Sequence, residues 1–223
     1  NTMPAGCSWG VYYFGNTSTR PVNWVVQGNT MNPYWGSIYA YYMNDFKIRN
    51  NNITKYLTSG FQGMYLNYCY NALEIIGNTQ SVPTANSTTY SLYLWECKGT
   101  SFANKAVIAN NTFTISSNTS TTYPLYSYYL DNDSFVNNTF TATTTSALYN
   151  YNYYLQNTTF KGNNFNFTSN STMYLMYNYA YGYAGNVIFD GNTMIGTSPS
   201  SGTIYNWPIY YSDNSKFINN VCS

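Results

Sequence analysis

SFVNNTFT, residues 134–141, is the stretch that decides the fold, because versions of it recur eight times along the 223-residue chain. In each version an aromatic or β-branched residue lies three positions before an asparagine, and glycine or a second asparagine directly precedes that asparagine. The other seven are VVQGNTM from Val25, FKIRNNNIT from Phe46, LEIIGNTQ from Leu73, VIANNTFTI from Val107, TFKGNNFNF from Thr159, VIFDGNTMIG from Val187 and KFINNVCS from Lys216. Repetition of this kind indicates a stack of similar structural units.

One asparagine occupies the same place in every copy. The eight are Asn29, Asn51, Asn78, Asn111, Asn138, Asn163, Asn192 and Asn220, about 27 residues apart on average. This period, together with β-branched and aromatic residues and no helical spacing, predicts an all-β chain with one domain spanning residues 1–223. That domain is a β-solenoid of about eight coils with an asparagine ladder and a tyrosine-rich sheet. By precedent among solenoids, we expect a right-handed parallel β-helix.

Stacked coils place equivalent residues about 4.8 Å apart along the axis. At that spacing each ladder asparagine can donate a hydrogen bond to the next amide and accept one from the previous amide. The pattern also predicts that Phe135, Phe140, Phe160 and Phe165 point inward on either side of the bend. We further expect Asn110 and Asn137, which adjoin the ladder, to be buried.

A second recurring strand carries most of the 28 tyrosines. Strand alternation predicts that Tyr149, Tyr151 and Tyr153 share one face, while Tyr154 lies on the other face with two asparagines. We interpret about half of the tyrosines as core residues and the rest as an exposed band. Such a band is suited to packing against another protein layer or to stacking on sugar rings.

Charge is scarce: 8 basic and 7 acidic residues give 7% charged residues, a net charge of +1 and no histidine. A surface with so little charge favours coverage by further copies of the chain or by sugar. The few scattered basic residues give no reason to expect nucleic-acid binding, and no apolar run is long enough to span a bilayer. The first residue is Asn1 rather than methionine, as expected of an extracellular chain whose signal peptide has been removed. Among many sequons, Asn86 and Asn118 are the best candidates for glycosylation because they fall in loops.

The four cysteines form two predicted pairs. Cys69 and Cys97 lie 28 residues apart, at matching places in consecutive tyrosine strands, so stacking predicts an intramolecular disulfide. Reduced, buried thiols are the alternative. Cys7 and Cys222 lie at opposite ends of the rod and predict an intersubunit disulfide, formed where the last coil of one subunit stacks on the first coil of the next. Two unrelated thiols, or a long-range bond in a different fold, are the alternatives here.

We do not expect catalysis. Right-handed β-helices include pectate lyases and polygalacturonases, which this chain resembles in fold only, since those enzymes depend on clustered acids. Asp131 and Asp133 are the only close acidic pair, and alternation would put both on one face without a cationic partner. The complete set of acids is Asp45, Glu74, Glu96, Asp131, Asp133, Asp190 and Asp213. Without histidine, a His-based triad or zinc site is excluded, and no cofactor or metal is expected.

The combination of stacked repeats, dense tyrosine, little charge and terminal cysteines resembles β-solenoid surface proteins of methanogenic archaea, and most of all the amyloid-like sheath protein that polymerises into hoops. The resemblance implies a structural protein of the cell envelope that assembles head to tail into a protective sheath. It also implies that Cys7 and Cys222 link subunits around a hoop, and that tyrosine faces pack between hoops. A monomeric adhesin that binds glycans through its tyrosine face is the alternative, with a polysaccharide lyase or hydrolase less favoured.

Overall fold

The structure is a computed structural model that describes residues 1–55, 60–101, 103–179, 185–200, 202–206, 209–210 and 214–223. The described residues contain only β-strands as regular elements. In chain order these are β1 (Trp9–Phe14), β2 (Val25–Gln27), β3 (Thr30–Met31), β4 (Gly36–Tyr41), β5 (Lys47–Arg49), β6 (Asn52–Thr54), β7 (Phe61–Asn67), β8 (Glu74–Ile76), β9 (Thr79–Ala85), β10 (Thr89–Trp95), β11 (Ala106–Ala109), β12 (Thr112–Ser117), β13 (Thr122–Asp131), β14 (Asp133–Val136), β15 (Thr139–Thr144), β16 (Leu148–Gln156), β17 (Thr159–Lys161), β18 (Asn164–Ser169), β19 (Met173–Tyr179), β20 (Ile188–Asp190), β21 (Thr193–Thr197), β22 (Ile204–Tyr205), β23 (Ile209–Tyr210), β24 (Lys216–Ile218) and β25 (Val221–Cys222).

The strands form three parallel sheets, and the chain visits the sheets in the same order on every turn. The first sheet runs β1-β4-β7-β10-β13-β16-β19-β22, with β23 also paired to β19. The second runs β2-β5-β8-β11-β14-β17-β20-β24, and the third runs β3-β6-β9-β12-β15-β18-β21-β25. Eight rungs are joined by seven turns, so the predicted parallel β-solenoid is confirmed.

The bend between the second and third sheets explains the sequence motif. The residue before each ladder asparagine has a positive φ, which only glycine and, at modest cost, asparagine readily adopt. These residues are Gly28, Asn50, Gly77, Asn110, Asn137, Gly162, Gly191 and Asn219. Asn110 and Asn137 therefore turn outward and are exposed, so the expectation that they are buried is wrong.

The predicted asparagine ladder runs through all eight rungs. Each Nδ2 donates to the Oδ1 of the next ladder asparagine at 2.9–3.0 Å. The backbone N–H of each ladder residue donates to that same oxygen at 2.9–3.1 Å. From Asn51 onward, Nδ2 also donates to a backbone carbonyl of the preceding rung, for example from Asn138 to Ile108 at 2.8 Å. The buried amides are thereby satisfied, as burial requires.

The core between the sheets consists of stacked phenylalanine, isoleucine, leucine and methionine side chains. The predicted inward phenylalanines are confirmed: Phe135 stacks on Phe160 with ring centroids 4.5 Å apart, and Phe140 on Phe165 at 5.3 Å. No tyrosine with a described side chain is buried in this core, and Tyr13 alone among them packs against it, so the assignment of about half of the tyrosines to the core is wrong. A buried phenol needs a hydrogen-bond partner, which a phenylalanine at the same position does not.

Candidate functional site

The outer face of the first sheet is an aromatic face, defined by three columns of outward side chains. The middle column is Tyr12, Tyr39, Tyr65, Tyr93, Tyr126, Tyr151 and Tyr177. One flank carries Trp9, Gly36, Gln62, Tyr90, Tyr123, Tyr149, Tyr174 and Tyr205. The other carries Phe14, Tyr41, Asn67, Trp95, Tyr128, Tyr153 and Tyr179. None of these side chains is charged, so the face is both aromatic and electrically neutral.

In the first five rungs the middle column is a stack of nearly parallel rings. Successive centroids from Tyr12 to Tyr126 are 4.7, 5.4, 4.0 and 5.0 Å apart, with interplanar angles of 7° or less. Burial raises the pKa of Tyr93 far above its ordinary value, and its hydrogen bond with Tyr65 adds to the rise. Burial also raises the pKa of Tyr128 to about 12. The face consequently stays uncharged at any physiological pH.

A register shift in the pairing of β13 with β16 changes this packing. Beyond it the rings tilt: Tyr126 meets Tyr151 at 63°, and Tyr151 meets Tyr177 at 58°. Tyr149, Tyr151 and Tyr153 lie in this part of the face and are half-buried among other rings. They share the outer face, as alternation predicts.

Tyr154 departs from the alternation that places it inward. Its φ is 55°, and its ring stacks on Tyr129 with centroids 4.5 Å apart on the outside of the solenoid. Tyr42, Tyr68 and Tyr129 have the same positive φ at the equivalent position of other rungs. Because these residues are not glycine, no sequence signal marks the turn that reverses their side chains.

A cavity of about 310 Å³ lies at the corner where the first sheet leads into the second. Its lining residues are Glu96, Lys98, Tyr129, Leu130, Asp131, Tyr154 and Gln156. Lys98 Nζ lies 3.7 Å from Glu96 Oε2, and Asp131 Oδ1 accepts hydrogen bonds from the side-chain amides of Asn132 and Asn157. The cavity thus joins a pair of stacked rings to two carboxylates.

A second cleft, of about 400 Å³, opens beside the first rungs of the aromatic face. Trp9, Trp35, Gly60, Phe61, Gln62, Ser87 and Thr88 line it. The indole of Trp9 lies across Gly36, where a Cβ atom would come within 2.2 Å of the ring. Two indoles with amide and hydroxyl groups between them, and no charged residue in the described lining, suit a neutral polar ligand with apolar faces.

Cys69 and Cys97 meet inside the solenoid, as their predicted pairing requires. Both are buried thiols in this structure, and they precede the bridged residues Tyr70 and Lys98 on adjacent rungs. Burial, together with contact with the Cys69 thiol, raises the pKa of Cys97 well above its ordinary value. Contact within an apolar core is compatible with either a thiol pair or a disulfide, so their bond stays a prediction.

Cys7 is half-buried and Cys222 is exposed. Cys222 pairs with Met194, in a column of the third sheet that begins at Met31. Cys7, in contrast, lies beside Tyr34, whose N–H donates to the Cys7 carbonyl at 2.7 Å. The two cysteines therefore occupy different columns, three residues or roughly 10 Å apart along a strand. Their intersubunit bond stays a prediction and requires movement at the junction.

The acids do not form the pair that alternation suggests. Asn132 has a φ of 57°, so Asp131 points outward while Asp133 is buried. Neither oxygen of Asp133 accepts a hydrogen bond of normal geometry from the described residues. Burial raises its pKa well above the ordinary value, and the nearby Gly99 N–H offsets only part of the rise. Asp213 lies outside the described residues. In the described part of the chain, no group of three His, Cys, Asp or Glu residues could hold a metal ion.

The two candidate glycosylation sites lie on consecutive turns at the corner between the third and first sheets. Asn86 and Asn118 are both exposed. The Asn86 carbonyl accepts hydrogen bonds from the hydroxyls of Thr119 and Ser120, and the Asn118 N–H donates to Ala85. Glycosylation at both positions stays a prediction.

The fold and its outer face define a parallel β-solenoid with an internal asparagine ladder and a neutral aromatic surface. No known protein family, curated protein or solved structure matches the chain. Within the described ranges there is also no helix long and apolar enough to cross a membrane.

Proposed function

We propose that this chain is a structural protein of the extracellular cell envelope whose copies associate with one another into a sheath-like layer. One observation carries the proposal: the uncharged face runs from the first rung to Tyr205 in the eighth, with aromatic rings at most of its described positions. Large exposed aromatic patches on soluble proteins mark interaction sites. A face without charge needs no oppositely charged partner, so a second copy of the same face can cover it.

The size of the face fits that partner. Eight rungs about 4.8 Å apart span roughly 34 Å, and the six residues of β1 span about 17–20 Å across the face. The face therefore covers on the order of 600–700 Å² per copy. Two such faces would bury about 1,200–1,400 Å², at the lower end of stable protein interfaces.

Lateral packing can combine with the head-to-tail stacking that the resemblance implies. Phe217 belongs to the core column of Phe135, Phe160 and Phe189, yet it is 43% exposed in the last rung, so that end of the solenoid offers apolar surface for stacking. Thr2 already bridges to Thr30 at the first rung of the third sheet. If the last rung of another copy stacked directly on this rung, its β25 would occupy the same position as Thr2. Either the segment around Thr2 or strand β25 must therefore move at the junction, and Cys7 and Cys222 lie close to these two segments in the sequence.

Two variants with a matched control test the lateral interface. Tyr93→Lys and Tyr126→Lys put charge at the centre of the aromatic face, while Thr114→Lys and Thr141→Lys put the same charge on the third sheet at the same rungs. We expect the tyrosine variants to weaken self-association by about tenfold or more in sedimentation experiments, and the threonine variants to leave it unchanged. Equal behaviour of the two pairs would refute the aromatic interface.

The covalent part of the proposal has its own experiment. Non-reducing electrophoresis followed by mass spectrometry should detect a peptide linking Cys7 to Cys222 only in covalent multimers. A fully dissociated chain with both thiols free would exclude disulfide-linked hoops. The sedimentation experiments are to be carried out under reducing conditions, so that the lateral and covalent parts of the proposal can fail separately.

Glycan binding is a second candidate function, favoured by the cleft between Trp9 and Trp35. Indole faces stack on the apolar faces of sugar rings, and Gln62, Ser87 and Thr88 supply hydrogen-bonding groups. Binding of neutral oligosaccharides that is lost in Trp35→Ala but kept in Trp95→Ala would support it. The proposed role includes no turnover, so depolymerisation of anionic glycans by the purified chain would contradict both candidates.

A further inference from the structure

The corner between the first and second sheets carries two neighbouring columns of side chains, and we call the space between these columns the corner groove. One side consists of the residues with reversed side chains, namely Tyr42, Tyr68, Glu96, Tyr129 and Tyr154. The other side consists of the column that follows them, namely Asn44, Tyr70, Lys98, Asp131 and Gln156. Because consecutive rungs repeat this geometry, what fills one part of the groove indicates what the next part can hold.

In the second and third rungs the chain fills the groove with its own guanidinium group. Arg20 Cζ lies 4.0 Å from the ring centroid of Tyr70 and 5.3 Å from that of Tyr42. Arg20 Nη1 also donates a hydrogen bond to the backbone carbonyl of Tyr68. The cation is thus held by ring faces and by an oxygen acceptor, the usual combination for a guanidinium group.

From the fourth to the sixth rung the same groove is the open cavity of about 310 Å³ described above. Here the stacked rings of Tyr129 and Tyr154, with an interplanar angle of 9°, take the place of the Tyr42 and Tyr70 rings that contact Arg20. Glu96 occupies the position that Tyr68 occupies one rung earlier, and Asp131 lies in the column of Tyr70. The oxygen acceptors here are therefore carboxylates, which bind cations more strongly than a carbonyl does.

The charges in the cavity leave one carboxylate for a ligand. Lys98 pairs with Glu96, so the three charged lining groups sum to a net charge of −1. Asp131 uses Oδ1 for the amides of Asn132 and Asn157, and its Oδ2 accepts no hydrogen bond from the described residues. A planar group with several N–H donors can lie against the rings that line the cavity and donate to Asp131 Oδ2, a combination that suits a guanidinium group better than a tetrahedral ammonium.

We propose that the corner groove between Glu96, Asp131, Tyr129 and Tyr154 is a binding site for a guanidinium group. The ligand is either a small guanidinium compound or an arginine side chain of another protein chain. The site does not depend on self-association of the aromatic face, because it is lined by a different set of side chains.

The test is an NMR titration of the 223-residue chain with N-acetylarginine methylamide, with agmatine, and with N-acetyllysine methylamide as the ammonium control. We expect the ring resonances of Tyr129 and Tyr154 to shift with the arginine probe at a dissociation constant of about 1 mM, and far less with the lysine probe. Tighter binding of the capped arginine points to a protein side chain as the source, and tighter binding of agmatine points to a free compound.

Variants separate this site from non-specific attraction. Asp131→Asn should weaken binding about tenfold, Lys98→Met should strengthen it severalfold by releasing Glu96, and Asp190→Asn, on the second sheet, should change nothing. Arg20→Met should open the earlier part of the groove and add probe-dependent shifts at Tyr42. Equal shifts with arginine and lysine probes, or no difference between Asp131→Asn and Asp190→Asn, would overturn the proposal.

Discussion

The asparagine ladder makes a quantitative prediction at Asn138, which is fully buried in the middle of the solenoid. Its Oδ1 accepts from the Asn111 N–H at 3.1 Å and from Asn111 Nδ2 at 2.9 Å. Its Nδ2 donates to the Ile108 carbonyl at 2.8 Å and to Asn163 Oδ1 at 3.0 Å. Asn138→Ala removes all four hydrogen bonds at once.

The four losses are not equal. Asn111 Nδ2 keeps its bond to the Ile75 carbonyl, and Asn163 Oδ1 keeps the Asn138 N–H, but the buried Asn111 N–H loses its acceptor. An orphaned buried donor costs about 1–3 kcal/mol, and each of the other three bonds about 1 kcal/mol. The expected loss in the free energy of unfolding is therefore about 4–6 kcal/mol, a large share of the total stability of an ordinary domain.

Urea denaturation followed by circular dichroism measures this loss as the shift in the unfolding midpoint multiplied by the m-value. Asn137→Gly is the matched control, because Asn137 is the exposed neighbour with a φ of 52°, and glycine occupies its place in four other rungs. We expect that control to stay within about 0.5 kcal/mol of the parent chain. A loss below about 1 kcal/mol for Asn138→Ala would refute the view that the ladder amides hold the rungs together.

Three further predictions concern the interior. Asp133→Asn should stabilise the chain, and the gain should grow as pH rises above about 4, by up to about 1.4 kcal/mol per pH unit. The reason is that the raised pKa of the buried Asp133 carboxyl makes the parent chain lose stability as pH rises through this range. A difference in urea midpoints that does not depend on pH would contradict this prediction. Peptide mapping without reduction should find Cys69 bonded to Cys97 in chain made in an oxidising compartment, and two free thiols there would exclude the bond. Gly63→Ala should destabilise the chain by about 1–3 kcal/mol or more in thermal melts, because the new Cβ atom would lie 2.0 Å from a carbonyl oxygen of the next rung. Gly185→Ala is the control, because a Cβ atom there meets nothing within 4 Å. Equal melting temperatures for the two variants would contradict the close approach at Gly63.

The sequence predicts the solenoid and its ladder because both depend on a column repeated eight times. Each ladder asparagine follows a residue with positive φ, and the two requirements together produce the visible G-N or N-N pair. Phe135 and Phe160 are similarly readable, since an apolar residue at a fixed offset from the ladder must face inward on every turn. A copy that departs from the motif does not hide the pattern, because the other seven copies keep it.

The candidate sites are less predictable because they depend on single departures from the repeat. Tyr154 and Asn132 take positive φ values outside the main bend, which reverses the alternation and separates Asp131 from Asp133. The register shift between β13 and β16 tilts the rings beyond it without leaving a pattern in the sequence. The cation position of Arg20 arises from a long link between β1 and β2, whose path no repeat specifies.

The ladder and the aromatic face contribute differently to stability, and this difference makes function testable by mutation. A stacked ring pair such as Tyr93 with Tyr126 adds about 0.5–1.5 kcal/mol beyond its buried area, much less than the four hydrogen bonds of a ladder amide. The ladder fixes the backbone register, and this register sets the distance between successive rings. The rings therefore contribute less than the ladder to the stability of the stacked rungs. Substitutions on the aromatic face should therefore change association before they unfold the chain, whereas a central ladder substitution should do the reverse.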